Sequence, residues 1–226
     1  MVKQARAVAT RQQIITGAAR MFERCGFEGA SLGDIVAGAG TTKGALYFHF
    51  QSKDDLASVV IDEQHRTSLD TVAAISTAGT DALRQLVMLT HETARQIVED
   101  PIVRAGIRLV LEFGSTSGRD RPYRDWIAGS RAIVEAGVAR GQIVASIDPH
   151  TLARFLAEAF TGVQLVSQVL TRREDLEQRI DEMWQLLLPS VAATRDPREL
   201  ADIRAARWQR PESIRDATPV AEPACA

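Results

Sequence analysis

Residues 41–50 read Thr-Thr-Lys-Gly-Ala-Leu-Tyr-Phe-His-Phe (TTKGALYFHF). The chain has 226 residues and only seven Phe, three Trp and two Tyr, yet three of these aromatics fall at 47, 48 and 50, between Lys43 and Lys53. A purely internal segment has no need of the lysines. Thr42 is placed to cap a very short helix from Lys43 to about His49. In that helix Ala45, Leu46 and Phe48 are expected to turn inward, leaving Lys43, Gly44 and Tyr47 to project at the amino end. Glycine at 44 costs about 1 kcal/mol relative to alanine, a cost that has a purpose where another molecule approaches the backbone closely. The amino end also offers free N–H groups and a partial positive charge, so a DNA phosphate or a base edge in the major groove suits it. Taken alone, a Tyr-Phe-His-Phe cluster reads equally well as a corner of the core, and the surroundings must decide.

The surroundings are helical punctuation. Thr10 with Gln13 resembles a capping box opening a helix whose apolar face is Ile14, Ala18, Phe22 and Cys25, with Gly26 placed to end it. Ser31 with Asp34 opens a second, with Leu32, Ile35, Val36 and Ala39 inside and Gly40 in the turn. Ser52 with Asp55 starts a long helix through Gln64 to about Ile75. Three short helices and a long one, with a glycine turn between the second and third, make a helix-turn-helix pattern.

Charge supports this reading. Residues 1–53 hold seven Lys/Arg against three acids, a net of +4, which leaves −6 for the rest of a chain whose total is −2. A small basic head sits on an acidic body. The chain is 45% apolar and 25% charged, as an ordinary globular protein is. It contains neither a signal-peptide pattern nor an apolar run long enough to span a bilayer, so a cytoplasmic protein without membrane contact is expected. Cys25 and Cys225 give neither a disulfide framework nor metal-ligand spacing, and His49, His65, His91 and His150 are scattered; no metal and no cofactor is expected.

These residues carry a family likeness. Ala30-Ser31-Leu32, Ile35, then Ala39 through Phe50 and Ser52-Lys53 closely resemble the DNA-binding head of the tetracycline-repressor (TetR) family of bacterial regulators. Lys3-Gln4-Ala5-Arg6-Ala7, the unbroken Lys43-to-Phe50 run and Trp126 are similar to one branch, the γ-butyrolactone autoregulator receptors of Streptomyces-like bacteria. The resemblance implies that Lys43 reaches base edges, that Thr42, Tyr47, His49 and Lys53 hold phosphates, that Gly44 permits close approach, and that Arg6 reaches backbone or minor groove. It implies a homodimer on a pseudo-palindromic double-stranded operator and a small lactone or butenolide effector.

The body reads as all-α. Asp100-Pro101, Asp148-Pro149 and Asp196-Pro197 each pair a capping aspartate with proline at the first helical position. Helices are expected at about 81–98, 101–113, 122–139, 149–170, 173–192 and 197–209. Residues 114–121 are read as a mobile loop and 211–226 as a disordered tail. The organisation is a head at 1–53, a helical ligand-binding and dimerisation body at 54–210, and the tail. The last two long helices are apolar over faces broad enough for a core and a partner subunit, and Trp184 is placed near that dimer surface. Trp126, Gln64, Thr161, Gln164 and Gln168 could supply the aromatic wall and the few polar groups that a small apolar effector needs; of these, Gln64, Trp126 and Thr161 are the positions implied by the lactone-receptor likeness. Each polar residue, singly, reads more readily as a satisfied core or surface group.

Two other readings compete. A helical enzyme needs catalytic groups, but Glu112, Glu158 and Glu182 have no Glu-x-x-His partner, and no nucleophile-elbow or phosphate-loop pattern occurs. A regulator of the same fold that takes no ligand would lack a cavity at Trp126.

Overall fold

The computed structural model describes residues 2–114 and 118–209. These form α1 (Val2–Gly29), α2 (Leu32–Gly38), α3 (Lys43–His49), α4 (Lys53–Ser76), α5 (Ala82–Glu99), α6 (Pro101–Phe113), α7 (Arg121–Ala139), α8 (Pro149–Thr171), α9 (Leu176–Val191) and α10 (Pro197–Arg204). The fold is all-α, and the extended pairing found among the described residues is an isolated bridge between Ile143 and Ala192. The expected tail at 211–226 and the centre of the expected loop, 115–117, lie outside the described residues.

Local capping explains most of the helix starts. The side chains of Ser31, Thr42, Ser52, Asp81 and Asp148 each accept the backbone N–H three residues on, while Asp100 and Asp196 accept it two residues on, ahead of Pro101 and Pro197. Three boundaries differ from expectation. α1 begins at Val2 rather than Thr10, because residues 2–9 are rich in Ala, Lys, Gln and Arg and contain no breaker. Gly26 interrupts the helix where expected: its φ 71°, ψ −178° is not helical, so α1 is two helices joined across a kink, a conformation that a side chain would oppose. α9 starts at Leu176 because Arg172 and Arg173 both have positive φ (54° and 71°), and α10 ends at Arg204 rather than near 209.

Two hydrophobic clusters organise these helices. The head cluster is built on Ile14, Phe22, Ile35, Leu46 and Phe50, and it continues into α4 through Leu56 and Val60 and into α6 through Ala105, Leu109 and Val110. Its core therefore runs past residue 53. The body cluster joins α5, α7, α8, α9 and α10 around Leu86, Trp126, Phe160, Ile180 and Trp184.

Burial corrects three placements. Cys25 is exposed. Phe48, expected inside, is 80% exposed. At 100° per residue it stands about 200° from the buried Leu46, and Phe50 takes the inner position instead. Trp184, expected near a dimer surface, is fully buried and its Nε1 donates to Thr90 Oγ1 at 2.7 Å, tying α9 to α5.

A buried histidine gives the body a pH dependence. His91 is 5% exposed, and burial, with repulsion from Arg207 second, pulls its pKa down to about 4; Glu177 stands 4.0 Å from its Nδ1. The unfolded chain therefore binds the extra proton first. Stability should be fully present above about pH 6.5 and decline as pH falls towards 4, by at most about 1.4 kcal/mol per pH unit from this group. Urea unfolding of wild type and His91→Gln at pH 7 and pH 5 checks this: the wild-type loss between the two pH values should exceed that of the variant.

Candidate operator surface and ligand cavity

The operator surface is assembled by α2 and α3. Gly40 turns the chain at φ 60° and Thr42 Oγ1 accepts Ala45 N–H at 3.1 Å, leaving the threonine hydroxyl proton to donate elsewhere. Leu46 and Phe50 anchor α3 on the head core, so Lys43, Gly44, Tyr47 and Phe48 form an exposed strip. A Cβ on Gly44 would meet Thr42 Oγ1 at 3.9 Å, ordinary contact. Nothing inside the protein demands glycine there. His49 is half-buried, with Phe48 edge-on at 4.9 Å, and Arg6 is exposed on the first turns of α1. Lys53 is placed differently from expectation. Its Nζ donates to the carbonyls of Phe27 (2.8 Å) and Ala30 (3.0 Å) and lies 4.4 Å from the Phe27 ring centroid, so its charge closes the α1–α2 link instead of projecting.

Phe48 is the residue that sequence reasoning missed here. An exposed ring beside Tyr47 on the strip is suited to apolar contact with a thymine methyl group. Lys43→Ala should relax base preference, weakening operator binding by about 1–3 kcal/mol, and Phe48→Ala should weaken it too; because both side chains are exposed, the melting temperature should stay within about a degree or two. Fluorescence anisotropy on wild-type and base-substituted operators reads both. Unchanged affinity in the folded Lys43 variant would remove that residue from the interface.

The second site is a cavity inside the body. Gln64 and Ser68 of α4, Ile107 and Val110 of α6, Tyr123 and Trp126 of α7, and Phe160, Thr161 and Gln164 of α8 line it, with Thr93 and Pro122. Trp126 and Phe160 form its aromatic wall, ring centroids 5.8 Å apart. Tyr123 and Thr161 hydrogen-bond across it at 3.1 Å, and burial raises the Tyr123 pKa, keeping the phenol neutral. Gln64 Oε1, Trp126 Nε1 and Gln164 Nε2 are buried without a hydrogen-bond partner. Buried polar atoms are ordinarily satisfied, so three orphans on residues lining one cavity make it the candidate ligand site. A larger groove of about 300 Å³ between α9 and α10 has no such orphaned atom among its lining residues. Gln168 does not belong to the Trp126 cavity: it is exposed, about 6 Å further along α8 than Gln164, beyond the end of the cavity.

The cavity is narrow, about 50 Å³, where small-molecule sites hold about 300–1,000 Å³. A guest of that size would have to push its walls apart. One wall is α6, which is held close to α4 because Gly106 leaves room for Gln64: a Cβ there would stand 2.4 Å from Gln64 Cβ. The other face of α6 grips the head. Arg104 Nε donates to Glu23 Oε1 and Arg108 Nη1 to the Glu23 carbonyl, both at 2.6 Å, while Glu112 Oε2 accepts Phe27 N–H at 2.8 Å just beyond the Gly26 kink. The three residues are spaced i, i+4, i+8 on one helix, a sequence signal that sequence reasoning left unused.

The sequence profile described as "Bacterial regulatory proteins, tetR family" matches residues 14–60, and "Tetracyclin repressor-like, C-terminal domain" matches residues 80–193. The chain belongs to the TetR family. It is 39% identical over 192 residues to the A-factor receptor protein of Streptomyces griseus, covering 85% of this chain and 67% of that protein. A crystal structure of a γ-butyrolactone receptor (ArpA-like protein) is similar at TM-score 0.74 and 31% identity, over 89% of this chain and 96% of the other. CprB, a TetR family protein from Streptomyces coelicolor solved with its biological operator sequence, is similar at TM-score 0.73 and 34% identity, over 88% and 94%. This TetR-family chain is thus a DNA-binding transcriptional repressor rather than an enzyme, closely similar to A-factor and butyrolactone receptors. No helix among its described residues is long and apolar enough to cross a membrane.

Proposed function

We propose that this repressor is released from a pseudo-palindromic operator by a γ-butyrolactone or butenolide-type signalling molecule bound in the Trp126 cavity. The observation that carries the reading is that Gln64, Trp126 and Gln164, which line one space with Ile107, Val110 and Phe160, each carry a buried and unpaired polar atom (Oε1, Nε1 and Nε2). An alkyl-bearing lactone offers apolar surface for the walls and oxygens for the donors. Lys43, Gly44, Tyr47, Thr42, His49 and Arg6 meet the DNA. Two copies of the head reading a palindrome require twofold symmetry, and α8 and α9 expose Phe155 (48%), Val169 (80%), Leu170 (64%) and Leu186 (80%) as apolar surface for a second copy.

Release follows from differential affinity. A guest that wedges Ile107 and Val110 outward displaces α6, and α6 carries Arg104, Arg108 and Glu112 on α1; the head spacing that fits successive major grooves is then disfavoured. A ligand that bound both arrangements equally would shift nothing. Titrating synthetic γ-butyrolactones and butenolides against the preformed protein–operator complex tests the reading, and failure of all of them to release the protein would favour a regulator that takes no such ligand.

The α6 grip makes a separate prediction. Glu112→Ala removes an acceptor worth about 1 kcal/mol at an exposed N–H and loosens α1 from α6. The variant should bind a lactone in calorimetry as wild type does, yet release operator less completely at saturation. Wild-type release would show that the coupling runs elsewhere.

A further inference from the structure

Gln164, which lines the cavity, faces a residue that does not line it. Gln164 is 1% exposed, and its Nε2 has no partner. Its Oε1 faces Arg173, whose Nη2 stands at 3.5 Å. Arg173 lies in the link between α8 and α9, where both Arg172 and Arg173 take left-handed backbone angles, φ 54° and 71°. The link folds back on α8: Arg173 N–H donates to Ser167 O at 3.2 Å, and Asp175 Oδ1 accepts from Ser167 (2.6 Å) and Thr171 (2.7 Å). That clasp aims the guanidinium inward. Among the described residues Arg173 has no carboxylate within ion-pair distance; the nearby Glu23 is engaged by Arg104. Burial lowers the pKa of Arg173, with Arg104 the second cause, and its Nε is itself buried without a partner.

A guanidinium has five N–H donors and no acceptor. Facing it, an amide must present its carbonyl, and its NH2 must then point the other way. We propose that Arg173 is a positioning residue that fixes the Gln164 amide with its NH2 towards the cavity, so that the α8 wall donates and selects an effector bringing a carbonyl-type acceptor to that wall. Trp126 Nε1 is likewise a donor only, and Gln64 Oε1 is the opposing acceptor. The inference rests on the ligand reading of the same cavity and adds which chemical end of the effector faces α8.

Reversing the polarity of residue 173 tests this. Two probes of similar shape serve: γ-decalactone, which offers acceptors only, and 2-hexylcyclopentanol, which has a hydroxyl donor. Wild type should prefer the lactone. Arg173→Lys keeps a donor-only partner and should keep that preference. Arg173→Glu presents an acceptor, turns the Gln164 carbonyl into the cavity, and should shift the affinity ratio about tenfold towards the alcohol. A ratio unchanged in Arg173→Glu overturns the proposal, since a merely structural role would weaken both probes alike. A ligand-free measurement separates its failure from failure of the lactone reading. In wild type the Gln164 side-chain NH2 should show nuclear Overhauser contacts to the Phe160 ring, one helical turn back, and these should vanish in Arg173→Glu. Their absence from wild type overturns the proposal even if the lactone binds; their presence, with neither probe bound, supports it while sinking the lactone reading.

Discussion

Trp126→Ala should still bind operator but should need at least about tenfold more effector to release it. The indole is 9% exposed, lies tilted against Phe160 and carries one of the three unpaired polar atoms on residues lining the cavity. Truncating a ring buried to this degree typically costs about 3–5 kcal/mol. Here the loss divides between stability, because the body cluster loses contacts, and ligand affinity, because the aromatic wall and the N–H donor both go. α3, which carries the candidate operator strip, is anchored through Leu46 on the other cluster. Trp126→Phe separates the two contributions: it keeps a wall and deletes the donor, a hydrogen bond of about 0.5–1.5 kcal/mol, so its release curve should shift by a factor of about 2–10. Anisotropy of a labelled operator during lactone titration reads all three proteins. Identical curves for wild type and Trp126→Ala would place the ligand elsewhere.

The largest loss of stability is expected from Trp184→Ala, again about 3–5 kcal/mol, but with a different signature. Trp184 is fully buried at the centre of the body cluster, and its N–H satisfies Thr90 Oγ1 at 2.7 Å. The truncation opens a cavity and removes the bond between α9 and α5. Since whole domains are stable by only about 5–15 kcal/mol, the variant should unfold at a markedly lower urea concentration, and any loss of operator binding should track the unfolded fraction. Trp184→Phe should recover much of the stability, though it leaves the Thr90 hydroxyl without its donor. Near-wild-type unfolding of the alanine variant would show that the ring contributes little to the body core.

The sequence by itself determined whatever rests on local chemistry. A capping side chain and a proline act within one turn, so Asp100-Pro101, Asp148-Pro149 and Thr42-Lys43 announced their helices to within a residue or so. The outward placement of Lys43, Gly44 and Tyr47 was legible for the same reason, and so was the family. Where a local signal failed, a competing local one was stronger: the capping box at Thr10 lies inside α1 because the residues before it are good helix formers.

Tertiary structure alone decided which groups meet. Gln164 and Gln168 share a helical spacing, yet one is buried against Arg173 and the other exposed, because the cavity ends between them. Lys53 reads as a free cation until the carbonyls of Phe27 and Ala30 come within 3.0 Å of it. Phe48, expected inside, is exposed, and Trp184, expected to pack near the dimer surface, lies in the core of the body, because burial depends on which helix packs opposite, and periodicity gives a face but not its partner. The grip of Arg104, Arg108 and Glu112 on α1 joins residues about 80 positions apart in the chain. No pattern within one helix encodes such a distance; it arises when α6 is buried between head and body, one face on each.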